Sequence, residues 1–501
     1  MCDSEAAHNV GQKSAQMGFT VVAMCRTFFK IDVERQNCLY LLPTKTPDAT
    51  DFSATRFDPM LELSPHLEKL FSDVKNVATK RAGSSTLYIR GANSRSGLKS
   101  IPVAFLVFDE YDEMPEENIP LALERMSGQL QKQVWAISTP TVPGWGINKL
   151  FLASTQEHFF FECPACSRET ELIYPDCLKI CGNSAIDPDV LKSHLICKEC
   201  QAVLEHEAKA DFLSTGHWVP LGHKDYQQRG FYINQMYSPT VSPVELAKAY
   251  HLSLSDQAAE QEFHNSKIGD AHIVDGARIN DVVIDAAIKN YRKTDNQPAD
   301  NGIVTMGVDI GKWLHFEVAR WFPKHIGNDI NALSECVVLC EGKVADFDEL
   351  DKLMHEWRPI QVVVDANPER RKAYEFAMRF HPHVKLCLYG KGMADKTMQL
   401  GSKGHNDPHS VLIQVDRTSW MDMALGRFYR KSIALPIDVS HEYREHLKSP
   451  VRVYEKDRDG NPVGKYINTS ADHFAHARTY NELALPLAVS IAHGQDIAKF
   501  L

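Results

Sequence analysis

The sequence predicts an α/β protein of two tandem units, each built on a sheet with parallel strands, with a cysteine-bearing insertion between them. Three observations carry that prediction. Up to residue 150, apolar strand runs alternate with helical segments. Residues 158–220 break the alternation with clustered cysteines, short strands and loops. After a polar linker, RKTDNQPADNG at 292–302, the runs resume in a different order. A chain of 501 residues is also too long for one ordinary core.

The elements follow in order. Residues 19–36 carry apolar side chains at helical spacing. NCLYLLP (37–43) is a short apolar run stopped by proline and reads as a buried strand. TKTPDATDFSATRFDPML is a polar connection entering a short helix. STLYIRGA (85–92), VAFLVFDE (103–110) and VWAISTPT (134–141) read as strands, the second the most apolar. Residues 242–290 look largely helical. Beyond the linker, IVTMGVDIG, HFEVARWF and ECVVLCEG are strands, FDELDKLMHEW a helix, IQVVVDANP a strand, ERRKAYEFAMRF a helix and VKLCLYG a strand. That ββ-β-α-β-α-β order is the order of a ribonuclease-H-like fold. The boundaries drawn are 1–157, 158–220, 221–300 (helical connector and linker) and 301–501.

Composition narrows the class. A hydrophobic fraction of 44% with 24% charged residues fits a soluble globular chain. No apolar run reaches the roughly 18 residues of a membrane span. The start, MCDSEAAHNV, is polar and acidic and lacks a signal-peptide pattern, so a cytosolic location is expected. A net charge of −10 argues against a chain-wide basic coat for nucleic acid, though not against a local basic groove. The 12 cysteines are therefore not read as a disulfide framework.

GQKSAQMGFT (11–20) nearly spells a phosphate loop, in which backbone N–H groups cradle phosphates, Lys neutralises them and Ser or Thr holds Mg²⁺. Gly18 and Thr20 stand in register, but Phe19 occupies the usual lysine position and Lys13 lies early in the loop. A hydrolytic loop needs a second strand ending in acid, and VAFLVFDE supplies Asp109 and Glu110. ISTPT (137–141) ends a further strand with hydroxyls able to sense a γ-phosphate. Such a loop should follow a buried strand, and no strand is read in residues 1–12.

CPAC (163–166) and CKEC (197–200) give C-x₂-C-x₃₀-C-x₂-C, two knuckles able to set Cys163, Cys166, Cys197 and Cys200 around a structural Zn²⁺. Cys177, Cys181 and His194 lie in the gap as less favoured alternatives. In the second unit Asp309 and Asp365 end apolar strands, and Asp472 sits near the start of a late helix. The first and fourth strands of a ribonuclease-H-like sheet are neighbours, so Asp309 and Asp365 should meet. Two metals about 4 Å apart on such acids can cleave a phosphodiester. His473 and His476 share that helix; His473 is a candidate helper and His476 is read as a surface residue.

Taken together, KSAQMGFT, LPTKTPDATDFSATRFDPML, LYIRGANSRSGLKS, FLVFDEYDEMP, STPTVPGWGI, CPAC with CKEC, YINQMYSP, VDIG, VVVDANP and DHFAHA resemble the large terminase subunit of tailed bacteriophages, of the lambda-like GpA family, over nearly the whole chain. The resemblance implies a RecA/ASCE-like P-loop ATPase with a deviant loop whose lysine is Lys13, with Ser14, Gly18 and Thr20 around ATP. It implies Asp109 on Mg²⁺, Glu110 as catalytic acid, Ser138–Thr139 as coupling motif, and Arg56 or Arg95 as a charge-stabilising arginine. A nuclease using Mg²⁺ or Mn²⁺ on Asp309, Asp365 and Asp472 would follow, as would double-stranded DNA, a terminase small subunit and a portal protein as partners. Ring assembly and action in the host cytoplasm belong to the same implication. Family members carry a strand and adenine contacts ahead of the loop, so the sequence predicts an ATPase domain short at its N-terminus. A helicase-like translocase–nuclease would share the acids, but no second RecA-like pattern is read between 150 and 300. A non-hydrolysing DNA- or portal-binding scaffold is favoured only by the missing strand.

Overall fold

Residues His8–Lys13, expected to hold no strand, form the buried strand β1 at the middle of the first sheet. The computed structural model describes residues 4–72, 74–99, 101–222, 227–295, 302–324, 330–390, 398–401, 410–456 and 461–493, so 296–301 of the linker lie outside the described residues. Two compact units emerge, Met1–Val274 and Asp275–Leu501. Among the described residues, no helix is long and apolar enough to cross a membrane.

In the first unit β1 is followed by β2 (Cys38–Leu42), β3 (Ser85–Gly91), β4 (Phe105–Asp109), β5 (Gln133–Ser138), β6 (Glu157–Glu162) and β7 (Gln228–Ile233). Their order is β6-β7-β1-β5-β4-β2-β3, and every neighbouring pair is parallel. Short antiparallel strands flank the set, His217–Pro220 on β6 and Thr79–Ala82 on β3. The sequence HNVGQK concealed β1 because a central parallel strand normally reads as a continuous apolar run, and here Val10 is the one large apolar side chain. Asn9 and Gln12 are buried instead. Their amide groups are hydrogen-bonded: Asn9 Nδ2 donates to Ala6 O (3.0 Å), and Gln12 donates to Gly269 O (2.9 Å) and accepts from Asn148 (3.0 Å). Helix α1 (Phe19–Asp32) follows the loop and buries Phe19, Ala23, Met24, Phe28 and Ile31 against β2 and β4.

The cysteine-bearing segment is an insertion between β6 and β7. It contains a small antiparallel sheet of Leu178–Lys179, His194–Ile196 and Val203–Leu204 over Phe161, Leu172, Leu195 and Phe212. The 221–300 connector is not a separate body. Its start supplies β7 to the first sheet, while helix Asp281–Ala287 sends Ile284 and Ala287 into a core with Trp321, Leu425 and Phe428 of the second unit. The division therefore falls at Val274, ahead of the polar linker.

The second unit follows the expected order: β8 (Ile303–Ile310), β9 (Leu314–Pro323), β10 (Ser334–Val344), α2 (Phe347–Trp357), β11 (Gln361–Asp365), α3 (Arg370–Arg379) and β12 (Val384–Tyr389). Strand β13 (Leu412–Val415), α4 (Arg417–Arg430), α5 (His441–Lys448) and α6 (His473–His493) follow, with shorter strands and a hairpin between them. β8, β9 and β10 form an antiparallel meander, and β11, β12 and β13 extend β8 in parallel. Helix α6 lies directly on β8: a Cβ at Gly307 would stand 2.0 Å from Ala477 O and 2.3 Å from Asn481 N. Buried ion pairs pin the helix, Arg478 to Glu317 at 2.7 Å and Arg427 to Glu482 at 2.6 Å. A charge this deep is tolerated only when paired.

Candidate nucleotide, nuclease and metal sites

The candidate nucleotide site is assembled from the C-terminal ends of β1, β4 and β5, where ligands of open parallel sheets bind. Lys13 Nζ, buried at the end of β1, lies 2.8 Å from Glu110 Oε1 and 3.3 Å from Thr139 Oγ1. Thr20 in the first turn of α1 donates to Asp109 at 3.2 Å, and Tyr40 donates to the other Asp109 oxygen at 2.6 Å. Burial, then the neighbouring Glu110 charge, pushes the Asp109 carboxyl up to about 6. Glu110 has φ 62°, a left-handed setting that turns its side chain toward Lys13, Ser138 and Thr139. Gly18 opens α1 at φ 77°, which glycine adopts without a Cβ clash. Of the two arginines, Arg56 is exposed but its charge is felt at Tyr40, whereas Arg95 stands exposed on the short helix Arg95–Leu98.

The loop is propped from distant segments that sequence reasoning missed. Ser14 N–H donates to Ile233 O (2.9 Å), Ala15 N–H to Ser266 O (2.8 Å), and Gln235 Nε2 to Ala15 O (2.9 Å). Gln235 lies within YINQMYSP, a motif without a role in the sequence reading. Asp112 was also missed: it is buried and accepts Thr141 N–H at 2.9 Å and Ile147 N–H at 2.6 Å. Its burial outweighs those donors and raises the carboxyl to about 7.

In the second unit β8 and β11 are parallel neighbours with Val308 opposite Val364, so Asp309 and Asp365 are the next residue on each strand. Burial, and further on the Asp309 charge, lifts the Asp365 carboxyl to about 6 against the pull of Asn367 N–H. His473 Nδ1–H donates to Asp309 Oδ2 at 2.8 Å. Asp472 begins α6 beside Arg417 (3.8 Å) and His476 (2.9 Å). Although burial opposes it, the hydrogen bond from His476 and, further on, the Arg417 charge hold Asp472 below the usual carboxylate range. Its buried Oδ2 is the oxygen that both His476 Nε2 and Arg417 approach. His476 is not a surface residue: its ring is held between Asp472 and the Tyr389 hydroxyl, 2.8 Å from Nδ1.

Cys163, Cys166, Cys197 and Cys200 bring their sulfurs within 4.8 Å of one another. The two knuckles share one backbone pattern. Ser167 N–H returns to Cys163 O and Gln201 N–H to Cys197 O, with Ser167 and Gln201 both at positive φ. The thiol cluster fits a tetrahedral soft cation. Cys177, Cys181 and His194 stand outside it: Cys177 Sγ reaches Glu171 O (3.2 Å), Cys181 Sγ reaches Lys192 O (3.6 Å), and the His194 ring meets Lys192 O (2.7 Å).

Comparison with known families matches residues 1–218 to the phage terminase large subunit gpA ATPase domain and residues 228–485 to the terminase large subunit gpA endonuclease domain. The chain belongs to the gpA family of phage terminase large subunits. This gpA-family chain is an enzyme with an ATPase domain and a nuclease domain, and it uses nucleotide and divalent metal. The gpA endonuclease match begins at 228 and so takes in β7, a strand of the first sheet. Among solved structures, the HK97 bacteriophage large terminase is similar at 10% identity and TM-score 0.48, over 95% of this chain and 91% of that one. The large terminase of a thermophilic bacteriophage in complex with ADP is similar at 13% identity and TM-score 0.32, over 95% and 93%. The magnesium-bound large terminase nuclease of thermophilic phage G20c is similar at 14% identity and TM-score 0.25, over 40% and 94%. Comparison with curated protein sequences returns no match.

Proposed function

We propose that this terminase subunit drives double-stranded DNA into a procapsid with ATP and cuts concatemeric DNA at the start and end of packaging. The observation that carries the motor reading is the convergence of Lys13, Thr20, Asp109, Glu110 and Thr139 on one sheet edge. Lys13 would neutralise the β- and γ-phosphates, with Ser14 and Gly18 shaping the backbone cradle around them. Thr20 and Asp109 would hold Mg²⁺, whose chemistry is charge neutralisation on the transferring phosphoryl group. Glu110 would orient the attacking water once nucleotide draws Lys13 away from it. Ser138 and Thr139 would report the γ-phosphate to the rest of the sheet. Arg56 or Arg95 would supply the charge-stabilising arginine.

On the nuclease side, Asp309, Asp365 and Asp472 would hold Mg²⁺ or Mn²⁺, which supplies an activated water and stabilises the leaving oxygen. Zn²⁺ on the four thiolates of Cys163, Cys166, Cys197 and Cys200 would be structural. DNA would be gripped through its phosphates without sequence readout, with a small subunit and a portal as protein partners, in a ring in the host cytoplasm. The scaffold alternative loses its one support, since β1 supplies the strand it took to be missing.

The test is DNA-stimulated ATP hydrolysis by the parent chain and its Lys13→Ala and Glu110→Ala variants, with plasmid cutting in Mn²⁺ by Asp365→Ala as the second arm. Each ATPase variant should lose at least about 100-fold in rate, and Asp365→Ala should not cut. Parent-like hydrolysis in Lys13→Ala would remove the displaced-lysine loop. Parent-like cutting by Asp365→Ala would remove the carboxylate assignment.

A further inference from the structure

Beside the candidate nuclease carboxylates, three histidine rings cluster, two of them face to face and the third tilted against both. His315 of β9 stacks on His473 with centroids 4.5 Å apart and planes 7° apart, and lies 5.5 Å from the His446 ring of α5. His315 and His446 are buried, and His315 Nδ1 has no hydrogen-bond partner. The other ring nitrogen, Nε2, is the one that faces Glu442. Glu442 stands one helical turn before His446, so both point from one face of α5 toward β9. One donor atom each from His315, Glu442 and His446 lies within 4.8 Å of the other two. His315 Nε2 is 3.6 Å from Glu442 Oε1, too far for a good hydrogen bond. A tetrahedral cation with bonds of about 2.0–2.1 Å sets its ligand atoms roughly 3.3 Å apart. A small contraction around a shared cation would meet that spacing.

We propose that His315, Glu442 and His446 form a binding site for a borderline divalent cation such as Zn²⁺ or Co²⁺, apart from the four cysteines and adjoining the Asp309–Asp365–Asp472 centre, since a His315 ring nitrogen also lies within 4.8 Å of Asp309 and His473. Two imidazoles and one carboxylate favour that class, whereas Mg²⁺ takes oxygen ligands and keeps its water. Two existing contacts would change. Lys343 Nζ now bonds both Glu442 oxygens, at 2.9 and 2.7 Å, and would keep one of them as an outer partner. Phe474 N–H now reaches His446 Nδ1 at 3.4 Å, a long and weak bond that ring reorientation would give up. The cation would tie α5 to β9. Through the His315–His473 stack it would also fix the ring that bonds Asp309.

The experiment is equilibrium dialysis of the full chain against Co²⁺ with Mg²⁺ in large excess. It counts bound cobalt and reads the visible absorption, in which thiolate-bound cobalt has intense sulfur charge-transfer bands and imidazole–carboxylate cobalt has none. The parent should hold one equivalent without thiolate bands that Mg²⁺ does not displace. His446→Gln should lose it, Glu442→Gln should bind it at least tenfold more weakly, and Asp365→Asn should keep it. Far-UV circular dichroism checks each fold. If His446→Gln does not fold, the surface substitution Glu442→Gln decides. Parent-like binding in Glu442→Gln, or loss of the equivalent in a folded Asp365→Asn, would overturn the site.

Discussion

Asp365 shares its strand-end position with Asp309 on the neighbouring strand, and burial raises its carboxyl to about 6 from an ordinary value near 4. A cation binding there has to displace that proton. Apparent Mn²⁺ affinity should therefore be level above about pH 6 and fall about tenfold per unit below it, measured by calorimetric titration. The sign for the metal-free fold runs the other way. Between about pH 4 and 6 the folded state holds the proton more tightly than the unfolded chain, so this residue's contribution to stability is lost as pH rises. Asp365→Asn should flatten the stability profile in that window, and an unchanged profile would contradict the assignment. Asp109, Asp309 and Asp365 were legible because each closes an apolar run: LVFD, MGVD and VVVD place the carboxylate at or near the C-terminal end of a buried strand. The paired knuckles were legible for a similar reason, two local copies of one pattern. His476 was not, since its partners Asp472 and Tyr389 come from the helix start and from β12, and only the fold encloses the ring between them. Gln235 and Ser266 act on the phosphate loop from more than 200 residues away, one of them through a backbone carbonyl that carries no sequence identity.

Among elements, the contact of α6 with β8 is close, and Gly307 makes it possible. Backbone atoms of Ala477 and Asn481 occupy the space a methyl group would need, and backbone cannot rotate away as a side chain can. Gly307→Ala should destabilise the second unit by about 3 kcal/mol or more, read from the urea midpoint. A shift below about 0.5 kcal/mol would mean that the helix stands farther off the strand. Because α6 begins at His473 beside Asp472, the same variant should weaken cutting without touching an acid. The ribonuclease-H-like order of the second unit could be read from sequence because its strands are long and apolar. The first sheet could be read only in part. β2, β4 and β5 announce themselves by hydrophobicity, while β1 earns its central place through the hydrogen bonds of Asn9 and Gln12. Helix Asp281–Ala287 illustrates the limit of linker reasoning: a polar stretch follows it, yet its apolar face belongs to the core downstream.

At the scale of the first unit, the cysteine insertion and the phosphate loop are joined by a short chain of bonds. Asn234 donates to Leu172 O at 2.8 Å, and Leu172 N–H donates to the Tyr237 hydroxyl at 2.8 Å. The neighbouring Gln235 holds Ala15 O. Purified protein should contain zinc. Stripping it with a chelator should weaken binding of a non-hydrolysable ATP analogue at least about tenfold, or about 1.4 kcal/mol, in a fluorescence titration. Unchanged nucleotide affinity in the zinc-free protein would show that the two sites are independent. The central position of β1 bears, finally, on how this chain comes into being. Its two partners are β5, which ends at Ser138, and β7, which ends at Ile233. At ribosomal rates of about 5–20 residues per second, the edge of β1 that waits for β7 stays unpaired for roughly ten to forty seconds. An unpaired strand edge is a template for the wrong neighbour, so the nascent chain is exposed to aggregation until the whole cysteine insertion has emerged. A chaperone that shields the β1 segment should raise the yield of folded enzyme more than any gain in final stability.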